Sequence, residues 1–154
     1  MKIAVLFGGT SEERDVSIAS ASQVIPALRS LGHEVIAADT ATGLLTPEAA
    51  ERMLASGVAP QPPSSTALAD LRASQLAVLT ACVTGIRDVD AVFLALHGGA
   101  GEDGHVQSVL DLAGLKYTGS GHIASAVAMS KPKMTSAPRK EAPLHPCPAH
   151  RTES

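Results

Sequence analysis

The residues best placed to do chemistry sit beside glycine-rich turns. Glu12, Glu13, Arg14 and Asp15 follow directly on the turn Gly8-Gly9-Thr10-Ser11. His97 opens a second turn, His97-Gly98-Gly99-Ala100-Gly101, and Gly119-Ser120-Gly121 makes a third. Glycines in such turns let backbone N–H groups approach a ligand, and a following helix N-terminus favours an anionic group. A carboxylate at the mouth of a glycine-lined cleft can instead hold a substrate ammonium, an interaction stronger in a partly dry cleft than in water. A histidine between an apolar strand and a turn suits a ligand-facing donor better than a core filler. Glu12 and Arg14 read as a solvated first helical turn, and His33, His105 and His122 as surface or capping residues. The turns match neither the GxGxxG nor the GxxxxGK[ST] spacing, so no dinucleotide fingerprint and no P-loop is supported.

The elements that must position these residues follow from apolar periodicity. Ile3–Phe7 is a continuous apolar run ending at Gly8-Gly9, as expected of a strand covered on both faces in a parallel sheet. Ile18, Ala21, Ile25, Leu28 and Leu31 recur at helical spacing, with Gly32 at the C-terminal stop and Pro26 predicting a bend without a break. Residues 34–39 read as a second strand. Thr46 followed by Pro47 is an N-cap with proline at the first helical position, Gly57 closes that short helix, and the Pro/Ser-rich linker 59–65 leads to a longer amphipathic helix reaching Ile86. No chemistry is evident in this middle section. Residues 90–96 are the strongest strand; Glu102 and Asp103 are expected to open the next helix, whose stripe is Val106, Val109, Leu110 and Ala113 before Gly114. Residues 115–118 look like a fourth strand, and a last helix carries Ile123, Ala124, Val127 and Ala128. Strands alternating with helices predict an α/β fold, Rossmann-like, with a mostly parallel sheet flanked by helices and its functional loops at the carboxyl ends of the strands.

Composition removes several classes of function. At 154 residues the chain has the length of one ordinary domain. With two Phe, one Tyr and no Trp its core must be aliphatic, and no platform exists for stacking bases. The net charge of −3, without a basic stripe, argues against a nucleic-acid partner. The first apolar run is too short for a signal peptide or a membrane span. Cys82 and Cys147 do not make a disulfide framework, so a reducing cytoplasmic location is expected. His145, Cys147 and His150 lie in a proline-rich setting without a partner motif, and no metal site is read from them.

Two blocks, KIAVLFGGTSEERDVSIASASQV (2–24) and VFLALHGGAGEDGHVQSVLDLAGLKYTGSGHIASAVAMSK (92–131), resemble the amino-terminal, pre-ATP-grasp domain of the D-alanine:D-alanine ligases of peptidoglycan precursor synthesis. In that family ATP activates the carboxylate of one D-alanine, the amine of a second attacks the acyl phosphate, and Mg2+ bridges the phosphates. The resemblance implies that Glu13 in GGTSEER anchors the ammonium of the first D-alanine and that His97 in ALHG sits beside that substrate. It implies that Val16, Ser17 and Gly98 line the same subsite, and that Lys131 in AMSK approaches the nucleotide. Ser130 stands where the family usually has Asp. The family also implies a homodimer, and central and carboxy-terminal domains that hold most of the ATP and Mg2+ ligands. The expected division is therefore a domain over 1–131 and an irregular tail over 132–154, which holds five of the chain's ten prolines and is expected to be disordered. Such a chain is expected to retain part of the first D-alanine site without turnover. The alternative is a non-catalytic α/β module that binds a small ligand or a partner.

Overall fold

The computed structural model describes residues 1–56 and 63–130; Gly57, Lys131, most of the 59–65 linker and the 132–154 tail lie outside the described residues. Strand β1 (Lys2–Phe7) runs up the middle of a four-stranded sheet, with β2 (Glu34–Asp39) and β4 (Ala91–Leu94) parallel to it on either side. A two-residue strand β3 (Gly43–Leu44) adds antiparallel to β2, giving the order β3-β2-β1-β4. Helices cover both faces: α1 (Arg14–Ser30) and α2 (Pro47–Leu54) on one, α3 (Ser65–Gly85) and α4 (His105–Leu112) on the other. The last helix is α5 (His122–Met129).

The burial of β1 on both faces follows from its unbroken apolar run. Because successive side chains point to opposite faces, Ala4 and Leu6 pack with Val92 beneath Leu79, Cys82 and Val83 of α3 and Val106 and Leu110 of α4. Val5 and Phe7 face the other way, against Ile18, Ala21 and Ile25 of α1. Helix α1 runs continuously through Pro26 and ends as its spacing predicts, with Gly32 at φ +79. Thr46 caps α2 by accepting from the Ala49 N–H at 3.3 Å, and Ser64 does the same for α3 from Ala67.

Two expectations are corrected. Residues 115–118 form a single parallel bridge, Val92 to Tyr117, instead of a strand. The next donor, Leu94 N–H, turns to the Thr118 hydroxyl at 3.0 Å, which takes the place of a backbone acceptor, and Gly119 then leaves the sheet at φ +99. Glu102 and Asp103 do not open a helix: Gly99–Gly101 forms one 3-10 turn, Gly104 interposes φ +94, and α4 starts at His105. Asp103 still accepts the His105 N–H at 3.1 Å. Of the residues in α5 only Ser125 is buried, and the helix starts close against Gly104, where any Cβ would meet the His122 carbonyl at 2.5 Å.

Two polar ties lock the carboxyl edge of the sheet. The Ser17 hydroxyl, fully enclosed, donates to the Ala95 carbonyl at 2.6 Å and accepts the Gly8 N–H at 2.7 Å, so the first turn of α1 holds the ends of β1 and β4 together. Arg14 is not the solvated residue its sequence position suggests. Its guanidinium grips both oxygens of Asp39, at the end of β2, and donates to the Gly9 carbonyl at 2.8 Å. Asp39 is fully buried and also accepts from Gly9 N–H, Ala41 N–H and the Thr42 hydroxyl. Gly8 is obligatory beside this pair: at φ +74, its Cβ would lie 2.3 Å from Asp39 Oδ1.

Burial pushes the Asp39 carboxyl upward, but the hydrogen bond and charge of Arg14, helped by Ala41 and Thr42, outweigh it and hold the group below the ordinary carboxylate value. A folded-state pKa lowered in this way contributes stability above the unfolded value, near 4 for Asp, that is lost as pH falls through the folded one. Asp39→Asn, which leaves Arg14 buried without its counter-charge, should cost about 3 to 5 kcal/mol at pH 7 by urea denaturation. That deficit should shrink below about pH 4; a deficit independent of pH would show that the carboxyl is not ionised. Ser17→Ala leaves a buried N–H and a buried carbonyl unpaired and should cost roughly 2 to 4 kcal/mol in the same measurement.

Candidate functional site

The two glycine turns are joined by Ser11, whose hydroxyl donates to the His97 carbonyl at 2.6 Å and accepts the Glu13 N–H at 3.2 Å. This places Glu13 directly across from Gly98. Gly98 has φ +66, and a Cβ on it would come within 3.2 Å of Glu13 Oε2 and 3.3 Å of Ser11. Glycine there permits both the backbone turn and the approach of the carboxylate. His97 is half-buried, and its Nε2 lies 2.9 Å from the Ser20 hydroxyl, one helical turn beyond Val16 on α1.

Glu13 and His97 are joined by Glu102, which follows the 3-10 turn. One ligand atom from each of the three lies within 4.8 Å of the other two. Both carboxylates are exposed and, among the described residues, neither has a hydrogen-bond or ion-pair partner. The nearest basic residue in sequence, Arg14, is committed to Asp39 and Gly9. The site thus carries two uncompensated negative charges beside an imidazole, a surface for a cation or an ammonium and an unfavourable one for a phosphate.

Glu13, His97 and Gly98 lie together, with Val16 exposed on the adjoining turn of α1. Ser17 stands beneath them with its hydroxyl already engaged between Gly8 and Ala95, holding the turn and presenting no surface. The third turn, Gly119-Ser120-Gly121, does not reach Glu13 or His97; it borders a separate cleft of about 340 Å³ with Glu102, Gln107 and Ala124. His122, at the start of α5, pairs with Asp111, which also accepts from the Tyr117 hydroxyl at 2.9 Å. That exposed cluster ties α4 to α5. The His122 hydrogen bond, with that of Tyr117, holds the Asp111 carboxyl low.

Sequence reasoning missed part of the wall. A cleft of about 850 Å³ opens beside Glu13, between the first two turns, α3 and the start of α4. Its α3 side presents Arg72, whose Nε donates to the Thr10 carbonyl at 3.2 Å, and Gln75, whose Oε1 accepts from the Thr10 hydroxyl at 2.9 Å. The available signal was two long polar side chains three residues apart in a helix otherwise made of small and aliphatic residues. Glu102 was read as a helix-opening charge, and only the 3-10 turn before it aims it at His97. Asp39 was read as the last residue of a strand.

No helix among the described residues is long and apolar enough to cross a membrane. Residues 2–120 match the family model described as "D-ala D-ala ligase N-terminus". The chain is 40% identical over 133 residues to a D-alanine–D-alanine ligase of Halalkalibacterium halodurans, covering 86% of this chain and 32% of the relative. It is 41% identical over 131 residues to the ligase of Gluconobacter oxydans, covering 85% of this chain and 32% of that one. Among solved structures, the D-alanine-D-alanine ligase of Coxiella burnetii superposes with a TM-score of 0.57 at 29% identity, over 88% of this chain and 40% of that one. A D-alanine–D-alanine ligase of Bacillus anthracis solved in complex with ATP gives 0.56 at 26% identity, over 88% of this chain and 33% of that one. The chain spans about a third of the length of the curated relatives it matches. With the GGTSEER and ALHG turns meeting at one sheet edge as they do, the chain belongs to the family of D-alanine:D-alanine ligase amino-terminal domains.

Proposed function

We propose that residues 1–131 form the amino-terminal domain of a D-alanine:D-alanine ligase and supply the ammonium subsite for the first D-alanine, with 132–154 outside that domain. The observation that carries this reading is the convergence of Glu13 and His97 over Gly98, with Glu13 in no ion pair among the described residues. Glu13 accepts hydrogen bonds from the substrate ammonium, His97 borders the substrate, and Val16 packs against its apolar side. Ser17, Ser11 and Arg14 act indirectly, by fixing the turns that carry these groups.

ATP, when bound to the whole ligase, supplies the phosphoryl group that activates one D-alanine carboxylate for attack by the amine of the second. The groups around Glu13 fit an ammonium and not a triphosphate, so no step of phosphoryl transfer is assigned to them. Lys131 is proposed to approach the nucleotide, and Mg2+ to be held by parts of the ligase outside this chain. The same reading places the protein in the cytoplasm, with peptidoglycan precursor synthesis as its role and a homodimer as its assembly. The second reading, a non-catalytic binding module, draws support from the 850 Å³ cleft lined by Arg72 and Gln75, which is larger than a D-alanine needs.

Titration of the purified chain with D-alanine, followed by NMR, should shift resonances of the Glu13 and His97 turns, and Glu13→Ala should abolish the response. Unchanged binding in that variant would remove Glu13 from the site, and no response in the parent chain would favour the second reading. Given ATP, Mg2+ and D-alanine, the chain alone should release no ADP. D-alanine-dependent ADP release would overturn the assignment of phosphoryl transfer to other parts of the ligase.

A further inference from the structure

We propose that Glu13, His97 and Glu102 also form a binding site for a divalent transition-metal ion, with Zn2+ the best match. The inference rests on the geometry of these three side chains and not on D-alanine being their ligand. One imidazole nitrogen and two carboxylate oxygens make a donor set suited to Zn2+, with three protein ligands and an open fourth position. The three ligand atoms already lie within 4.8 Å of one another. Tetrahedral zinc with bonds of about 2.0 to 2.1 Å needs separations of roughly 3.3 Å, so closure by about 1.5 Å completes the site. Glu13 and Glu102 are exposed and can make that movement by rotamer change, while His97 is held in place.

Two independent features support the assignment. The Ser20 hydroxyl lies 2.9 Å from His97 Nε2, which orients the ring and is the kind of outer-shell hydrogen bond that ligating histidines commonly carry. The charge is also unmatched: the two carboxylates have no cationic partner among the described residues, and Arg14 is turned away into its contact with Asp39. A bound cation relieves the repulsion between Glu13 and Glu102, and it does so at the open rim of the cleft, where an ion can enter. Zn2+ and an ammonium then compete for the same carboxylate. Mg2+, which prefers oxygen ligands and gives up its waters reluctantly, gains little from the imidazole.

The test is titration of the full chain with Zn2+ at pH 7 by calorimetry, with Co2+ absorbance as a spectroscopic check. His145, Cys147 and His150 have side chains of metal-ligating type, so the reference protein carries His145→Ala, Cys147→Ser and His150→Ala as a control. It should retain one equivalent of bound Zn2+ and bind Mg2+ far more weakly. Adding Glu102→Gln or His97→Asn should weaken Zn2+ by about tenfold or more, with thermal melts confirming that each variant is folded. Loss of all Zn2+ binding in the reference protein, equal affinity for Mg2+, or affinity unchanged by both further substitutions would overturn the proposal. Because no step of the titration uses D-alanine, its failure leaves the functional reading intact, and the reverse also holds.

Discussion

The buried pair of Arg14 and Asp39 is the constraint on which the carboxyl edge of the sheet depends. Asp39 ends β2, Arg14 begins α1, and Gly9 lies between β1 and α1, so one guanidinium gathers three segments where the β1–β2 ladder finishes at Phe7 and Asp39. A buried pair of this kind adds little net stability over an apolar substitute, because desolvation of both charges offsets their attraction. Its effect is geometric. With every oxygen of Asp39 engaged, the Gly8-Gly9 turn is left one conformation, and the position of Glu13 at the head of α1 follows from it.

A second consequence is the separation of charge. The sequence Glu12-Glu13-Arg14-Asp15 sets one guanidinium among three carboxylates, and folding sends Arg14 inward and leaves Glu13 outside. The fold therefore strengthens a negative character that the local sequence already has. Glu102 adds to it because Gly99–Gly101 spends three residues on a tight turn that delays α4, moving the carboxylate from a helix N-terminus, where it would be neutralised in part, to a place beside His97.

Much of this architecture was legible in the residues. Continuous apolar runs marked β1 and β4, helical periods marked α1, α3 and α4, and Gly32 and Gly114 stand at positive φ after α1 and α4, where stop signals were read. What escaped depends on contacts distant in sequence. The Thr118 hydroxyl replacing a backbone acceptor for Leu94 is invisible to any periodicity, and so is the two-residue strand β3. The role of Arg14 required knowing that Asp39, 25 positions away, ends in the same place. Gln75 and Arg72 were hidden differently: their helix is too uniform for two polar residues to declare a wall, until Thr10 is seen bonded to both.

The site divides its work between residues that fold and residues that bind. Ser11, Arg14, Ser17 and Asp39 are engaged in hydrogen bonds to other segments. Glu13 and Glu102 are the reverse, exposed and without partners among the described residues. Removing either charge therefore relieves repulsion in the free protein instead of breaking a contact, whereas removing a tie disturbs the frame on which both are mounted. That division is what preorganisation requires: the cost of holding like charges together is met by contacts made elsewhere, and the attraction for a cation is available without rearrangement of the backbone.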